Sequence, residues 1–108
     1  MEDYPVIIDE SAREDIGSVV DWLAEVAPHK IGEWLDNLEE TLSSLSRMPE
    51  RCPLAPENGK WGEECVRQLL FDRYPSKYRV LFTVQKDAVH VVQIRHGARP
   101  WMHESSDD

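Results

Sequence analysis

The stretch "YRVLFTVQKDAVHVVQIRH" (residues 78–96) decides how this chain folds. Two runs rich in β-branched and aromatic residues flank Lys86-Asp87, which reads as a two-residue hairpin turn. That turn pairs Val84 with Val89, Phe82 with Val91, Val80 with Gln93 and Tyr78 with Arg95. In this register Val80, Phe82, Val84, Val89 and Val91 form the face that covers a core. The opposite, open face carries Arg79, Leu81, Thr83, His90, Val92, Ile94 and His96, cationic at one end and apolar in the middle. A slip of one residue would exchange every partner beyond it. Arg95, beside Tyr78 on the core side, is expected to pair with a helix carboxylate. His96 precedes Gly97 and reads as a strand-end histidine that could also move a proton near neutral pH.

Upstream, a further strand is expected near residues 64–71, and residues 48–63 hold three prolines and two glycines, an ordered surface loop. Before the loop come two helices. Ile16, Val19, Val20, Leu23, Val26 and Ala27 recur at helical spacing, with Ser11 and Glu14 in the pattern of a capping box. Pro28 ends that helix, and Ile31, Trp34, Leu35, Leu38, Leu42 and Leu45 form the apolar stripe of the next. A short β-type run, "YPVIID" (4–9), precedes both. The order is a strand, a two-helix hairpin and a three-stranded antiparallel sheet: one α+β domain over residues 1–102 with a polar tail over 103–108.

A chain of 108 residues suffices for one core and is too short for two. The formal net charge of −9 argues against general nucleic-acid binding, but the charge is uneven. Residues 1–58 hold four basic and fourteen acidic side chains, whereas residues 65–99 hold seven basic ones against Asp72 and Asp87. The acidity belongs to the helices and the sheet is locally cationic. The acidic start lacks the pattern of a signal peptide, so a cytoplasmic protein is expected, with Cys52 and Cys65 reduced. Two cysteines and four scattered histidines show no metal-ligand spacing, and no metal or cofactor is expected.

This order of elements resembles the RelE/ParE superfamily of toxins from type II toxin–antitoxin modules. The resemblance is carried by "LSRMPERCPLAPE" (45–57), "CVRQL" (65–69), "YRVLFTV" (78–84) and "IRHGAR" (94–99), and it spans nearly the whole chain. It implies a toxin neutralised by a cognate antitoxin, with one of two targets. ParE-like members poison DNA gyrase, and RelE-like members cut messenger RNA on the ribosome without a metal. The nuclease chemistry is attack of a ribose 2′-hydroxyl on the adjacent phosphate, which needs cations around the phosphate and groups for proton transfer. Carried over by position, the resemblance makes Arg67, Arg79 and Arg99 candidate phosphate-binding residues, with His96 a candidate proton shuttle. Two positions depart from the nuclease pattern: the second basic position of the strand before the hairpin is Leu69, and the C-terminal tyrosine has no counterpart near Ser105. Those departures and the net charge favour the gyrase-directed reading. The alternatives are the ribosome-dependent nuclease and a degenerate toxin that only binds its antitoxin. Leu81, Val92 and Ile94 on the open face, with Trp101 beyond it, are the expected antitoxin contacts.

Overall fold

A computed structural model describes residues 3–56, 58, 65–71 and 78–96. Strand β1 (Val6–Ile8) leads into helix α1 (Glu10–Val26) and, through a 3-10 turn at Pro28–Lys30, into helix α2 (Ile31–Ser44). Strands β2 (Arg67–Phe71), β3 (Tyr78–Gln85) and β4 (Ala88–His96) follow, and the sheet order is β1-β4-β3-β2. The N-terminal strand joins the sheet as its fourth member, parallel to β4, with Val6 opposite Val89 and Ile8 opposite Val91.

Both helices lie on one face. Leu23 of α1 and Trp34 and Leu38 of α2, with Leu45 just beyond, bury against Val80, Phe82, Val89, Val91 and Ile94. Each such side chain contributes about 1.5–3 kcal/mol by leaving water. The carboxylates of α2 at Glu33, Asp36, Glu39 and Glu40 are held outward by the same periodicity. Helix α2 ends at Ser44, and the turn that follows leads to Met48, which takes a left-handed backbone (φ 48°) ahead of Pro49. The guanidinium of Arg51 then folds back and donates to the Arg47 carbonyl at 3.0 Å and the Met48 carbonyl at 3.4 Å, a cation at the negative end of the helix.

Ser11 does not cap α1. Asp9 occupies the N-cap without a side-chain capping bond, and Ser11 lies inside the helix with its hydroxyl donating to the Val92 carbonyl at 2.6 Å. One turn on, Asp15 accepts from the Ile94 backbone N–H at 3.0 Å. Strand β1 covers only the first part of β4, so the backbone of β4 beyond Val91 needs other partners. Two side chains four apart on α1 supply them.

The hairpin turns at Lys86 and Asp87, both with positive φ (51° and 65°), as a type I′ turn requires. Val84 faces Val89 and Phe82 faces Val91, as the sequence predicts. Beyond them the register differs: Leu81 faces Gln93, Val80 faces Ile94, Arg79 faces Arg95 and Tyr78 faces His96. Val92 is the extra residue of a β-bulge. The bulge has a hydrophobic cause. Val91 and Ile94 are three apart, so regular alternation cannot bury both, and it would turn Gln93 and Arg95 into the core. One inserted residue buries Ile94 (5 % exposed) and returns Gln93 and Arg95 to the opposite face.

That opposite face is not open along its length. Residues 53–55 run beside the outer edge of β2, with Ala55 N–H donating to the Val66 carbonyl at 2.7 Å and Gln68 N–H to the Pro53 carbonyl at 3.0 Å. This shields a strand edge. Ala55 and Val66 then close over Leu81, with Val92 packed alongside.

Candidate functional site

The bulge creates the most distinctive feature of the sheet. Arg79 and Arg95 lie directly opposite each other on the side away from the helices. Directly opposed residues of antiparallel strands have Cα atoms about 4.5–5.5 Å apart, and like charges in such positions repel by about 0.2–1 kcal/mol. Each guanidinium is steered by a glutamine: the Gln68 Oε1 accepts from Arg79 Nη1 at 2.9 Å, and the Gln93 Oε1 accepts from Arg95 Nε at 2.6 Å. Gln68 and Gln93 belong to the neighbouring row of the same face, on either side of Leu81. Both arginines are half-buried, so their charges sit at the rim of the sheet and not in free solvent.

Arg67 is not part of this group. It pairs with Phe82, which puts its side chain on the helix side. There Arg67 Nη1 donates to the Cys52 carbonyl at 2.7 Å and the Glu50 carbonyl at 3.3 Å, fastening the loop after α2 to the sheet. Burial pushes the neighbouring Cys52 thiol up from its ordinary range, and the charges of Arg51 and Arg67 oppose that rise only in part. Cys52 and Cys65 are free thiols, the first buried and the second exposed.

His96 is also on the helix side. Its ring meets Tyr78 edge-on, centroids 4.9 Å apart at 81°. Tyr78 continues into a cluster with Phe71 (5.7 Å) and Trp34 (5.4 Å) at the end of the core. The four positions proposed as catalytic are thus divided: Arg79 on the far face, Arg67 and His96 on the helix side, and Arg99 outside the described residues. Arg95, expected on the helix side as an ion-pair partner, takes Arg67's place beside Arg79. The sequence signal for this was the double valine of "VVQIR" (91–95), which breaks strict alternation.

The apolar positions expected to meet an antitoxin are likewise redistributed. Leu81 is fully buried under the loop, Ile94 belongs to the main core, Val92 is half-buried beside Leu81, and Trp101 lies outside the described residues. Exposed apolar side chains occur instead along the end of α1, at Trp22 (53 % exposed) and Val26 (56 %), and at Leu70 (46 %) on the outer strand. These line a groove of roughly 1000 Å³ bounded by α1, α2 and β2, with Lys30, Glu33 and Arg51 at its margin. Trp34 also lines the groove, and its buried indole N–H has no hydrogen-bond partner among the described residues.

Residues 6–101 match the family model described as the ParE toxin of the type II toxin–antitoxin system, parDE. The chain belongs to the ParE toxin family. A search of curated proteins returned no significant sequence match. Among solved structures, this ParE-family chain is similar to the chromosomal ParDE toxin–antitoxin system from P. aeruginosa, with a TM-score of 0.66 at 17% identity over 86% of this chain and 95% of that one. It is also similar to the RelBE2 toxin–antitoxin complex from Mycobacterium tuberculosis, with a TM-score of 0.53 at 22% identity over 91% of this chain and 95% of that one. At these identities the likeness is one of fold. As a ParE-family member, the chain is a type II toxin component, and no helix among its described residues is long and apolar enough to cross a membrane.

Proposed function

We propose that this ParE-family toxin is held by a cognate antitoxin and acts without cutting RNA, with DNA gyrase as its target. The observation that carries the reading is the split of the nuclease candidates across two faces. A nuclease site needs its cations and its proton-transfer group around one phosphate. Here Arg67 is engaged with loop carbonyls and His96 with Tyr78, on the side of the sheet away from Arg79. The net charge of −9 also opposes approach to the dense phosphate of a ribosome. The antitoxin docks on the apolar groove at the end of α1, where Trp22 and Val26 stand four residues apart and exposed.

Expression of the toxin alone in bacteria tests the target. Trapped gyrase–DNA cleavage complexes and a DNA-damage response with continued protein synthesis are the expected outcome. Rapid arrest of translation with cut transcripts would replace it with the ribosomal nuclease, for which the Arg79–Arg95 pair is the favouring observation. Normal growth with soluble protein present would leave only an antitoxin-binding module. For the partner, Trp22→Asp is expected to weaken binding of the cognate antitoxin at least tenfold with unchanged melting temperature. Unchanged affinity would move the contact elsewhere.

A further inference from the structure

We infer that the outer edge of β1 is a docking site for an extended, basic segment of a partner protein, which joins the sheet as a fifth strand and sets its apolar side chains into a groove beside α2. Strand β1 is an end strand of the four-stranded sheet. Val89 N–H donates to the Pro5 carbonyl at 2.8 Å and Asp9 N–H to the Val91 carbonyl at 2.9 Å, so the odd-numbered residues of this segment turn their backbone groups to β4. Val6 and Ile8 turn theirs outward. On that outer side the Tyr4 N–H donates to the Ser46 carbonyl at 2.7 Å, and no backbone group among the described residues takes up Val6 or Ile8. A free edge of this kind is a template for one more strand.

The groove gives that strand something to bury. Val6 and Ile8 pack against the core, and beside them Ile16 of α1 and Leu35 and Leu42 of α2 line a groove of about 610 Å³. The helices thus reach past the last strand and leave apolar surface that a fifth strand, about 4.8 Å further on, would cover. Every second side chain of such a strand enters the groove, and the others lie on the far face, next to Ile7. Charge decides the partner. Glu39 is the one charged side chain among the described residues that line the groove, and Asp3 and Glu10, both exposed, flank β1. Asp9 is held by His90 at 3.5 Å. Of the four basic side chains in residues 1–58, Lys30 and Arg51 border the other groove, on the opposite flank of α2. A second copy of this chain would bring the same carboxylates and be repelled, whereas lysines or arginines on an incoming strand are attracted. This edge lies across α2 from the groove assigned to the antitoxin, so its failure leaves that assignment standing.

The test adds a short, end-blocked peptide of alternating lysine and valine to the full chain and follows backbone amide exchange. Val6 and Ile8 are expected to gain protection saturably with peptide, while Leu70 on the other end strand gains none. Ile8→Pro removes an outward donor without touching the bonds to β4, and proline is tolerated on an edge strand at such a position. Leu35→Lys brings a like charge into the groove from an exposed position. Each should weaken the peptide about tenfold with the amide spectrum retained, and Leu70→Lys, on the other groove, should change nothing. Should Ile8→Pro fail to fold, Leu35→Lys decides alone. Absence of saturable protection, or undiminished affinity in either folded variant, would overturn the site. Equal affinity for the same peptide with glutamate in place of lysine would overturn the basic partner. Protection of Val6 and Ile8 that rises with protein concentration in the absence of peptide would overturn the proposal in favour of a second copy.

Discussion

The β3–β4 hairpin behaves differently on the two sides of Val92. Between the turn and the bulge, Val84, Phe82, Val89 and Val91 pair as simple alternation requires, and the helix-facing side is uniformly apolar. Beyond the bulge the same strand presents Ile94 to the core and Gln93 and Arg95 to the far face. The turn-side half is specified by nearest neighbours across the strand. The far half is specified by what the helices offer, because Ser11 and Asp15 of α1 take up β4 backbone groups that lie beyond the reach of β1. A strand can therefore change which face it buries midway, provided another element takes over its hydrogen bonds.

The most severe way to break this comparison is Ile94→Asp, which puts a carboxylate at the core position (5 % exposed) that the bulge assigns to this side chain, at an expected loss of at least ~4 kcal/mol. Melting should fall by at least about 15 °C, since ~1 kcal/mol moves a domain of this size by roughly 4–8 °C. A variant that melts as the parent does would show that the bulge does not turn residue 94 into the core.

Next in size is Trp34, which joins α2 to the Phe71–Tyr78 end of the hairpin. Trp34→Ala should cost about 3–5 kcal/mol. Trp34→Phe should cost less than half of that, because it also removes a buried N–H that lacks an acceptor among the described residues. Equal losses in urea titrations of the two variants would mean that the indole N–H is satisfied after all.

Asp15→Ala sharpens the comparison at the bulge itself. It strands the Ile94 N–H, and about 1–3 kcal/mol should be lost. The hydrogen-exchange protection of Ile94 should fall while that of Val84 and Val89, near the turn, is unchanged. A uniform loss along the hairpin would contradict the division into two halves.

A smaller effect comes from Cys52. Burial raises its folded pKa above the unfolded value, so the folded thiol holds its proton where the unfolded one releases it. This contribution is fully present below the unfolded pKa, near pH 9.0, and is lost as the pH rises through the raised folded pKa. Cys52→Ser should flatten the alkaline end of the stability profile. An unchanged slope would assign it to other groups. The smallest effect is expected for Arg79→Ala with Arg95→Ala, about 1 kcal/mol or less, because relief of the repulsion across the strands offsets part of the lost bonds to Gln68 and Gln93. A large destabilisation would make the pair structural.

Much of the fold was legible in the sequence. Trp34, Leu38 and Leu45 read as core from their spacing, Pro28 as a helix end, and Lys86-Asp87 as a turn, and each occupies that role. The candidate site was legible only in part. Arg79 falls on the far face in either register, but Arg95 and His96 exchange sides with a shift of one residue. Arg67 reads as a functional cation until the loop carbonyls of Glu50 and Cys52 are seen around it. The open apolar face was misjudged for the same reason, since nothing local in Leu81 tells that Ala55 and Val66 cover it.

By itself the sequence determined the α+β order of elements, the helix stripes, the hairpin turn and the division of charge between acidic helices and cationic sheet. These follow from periodicity and composition within windows of a few residues. Tertiary structure alone decided the parallel docking of β1, the bulge at Val92, and so which arginines meet. Those outcomes depend on bonds between residues about eighty positions apart, Ser11 with Val92 and Asp15 with Ile94. Such pairings leave no trace in local pattern, because a backbone carbonyl or N–H is the same chemical group at every position.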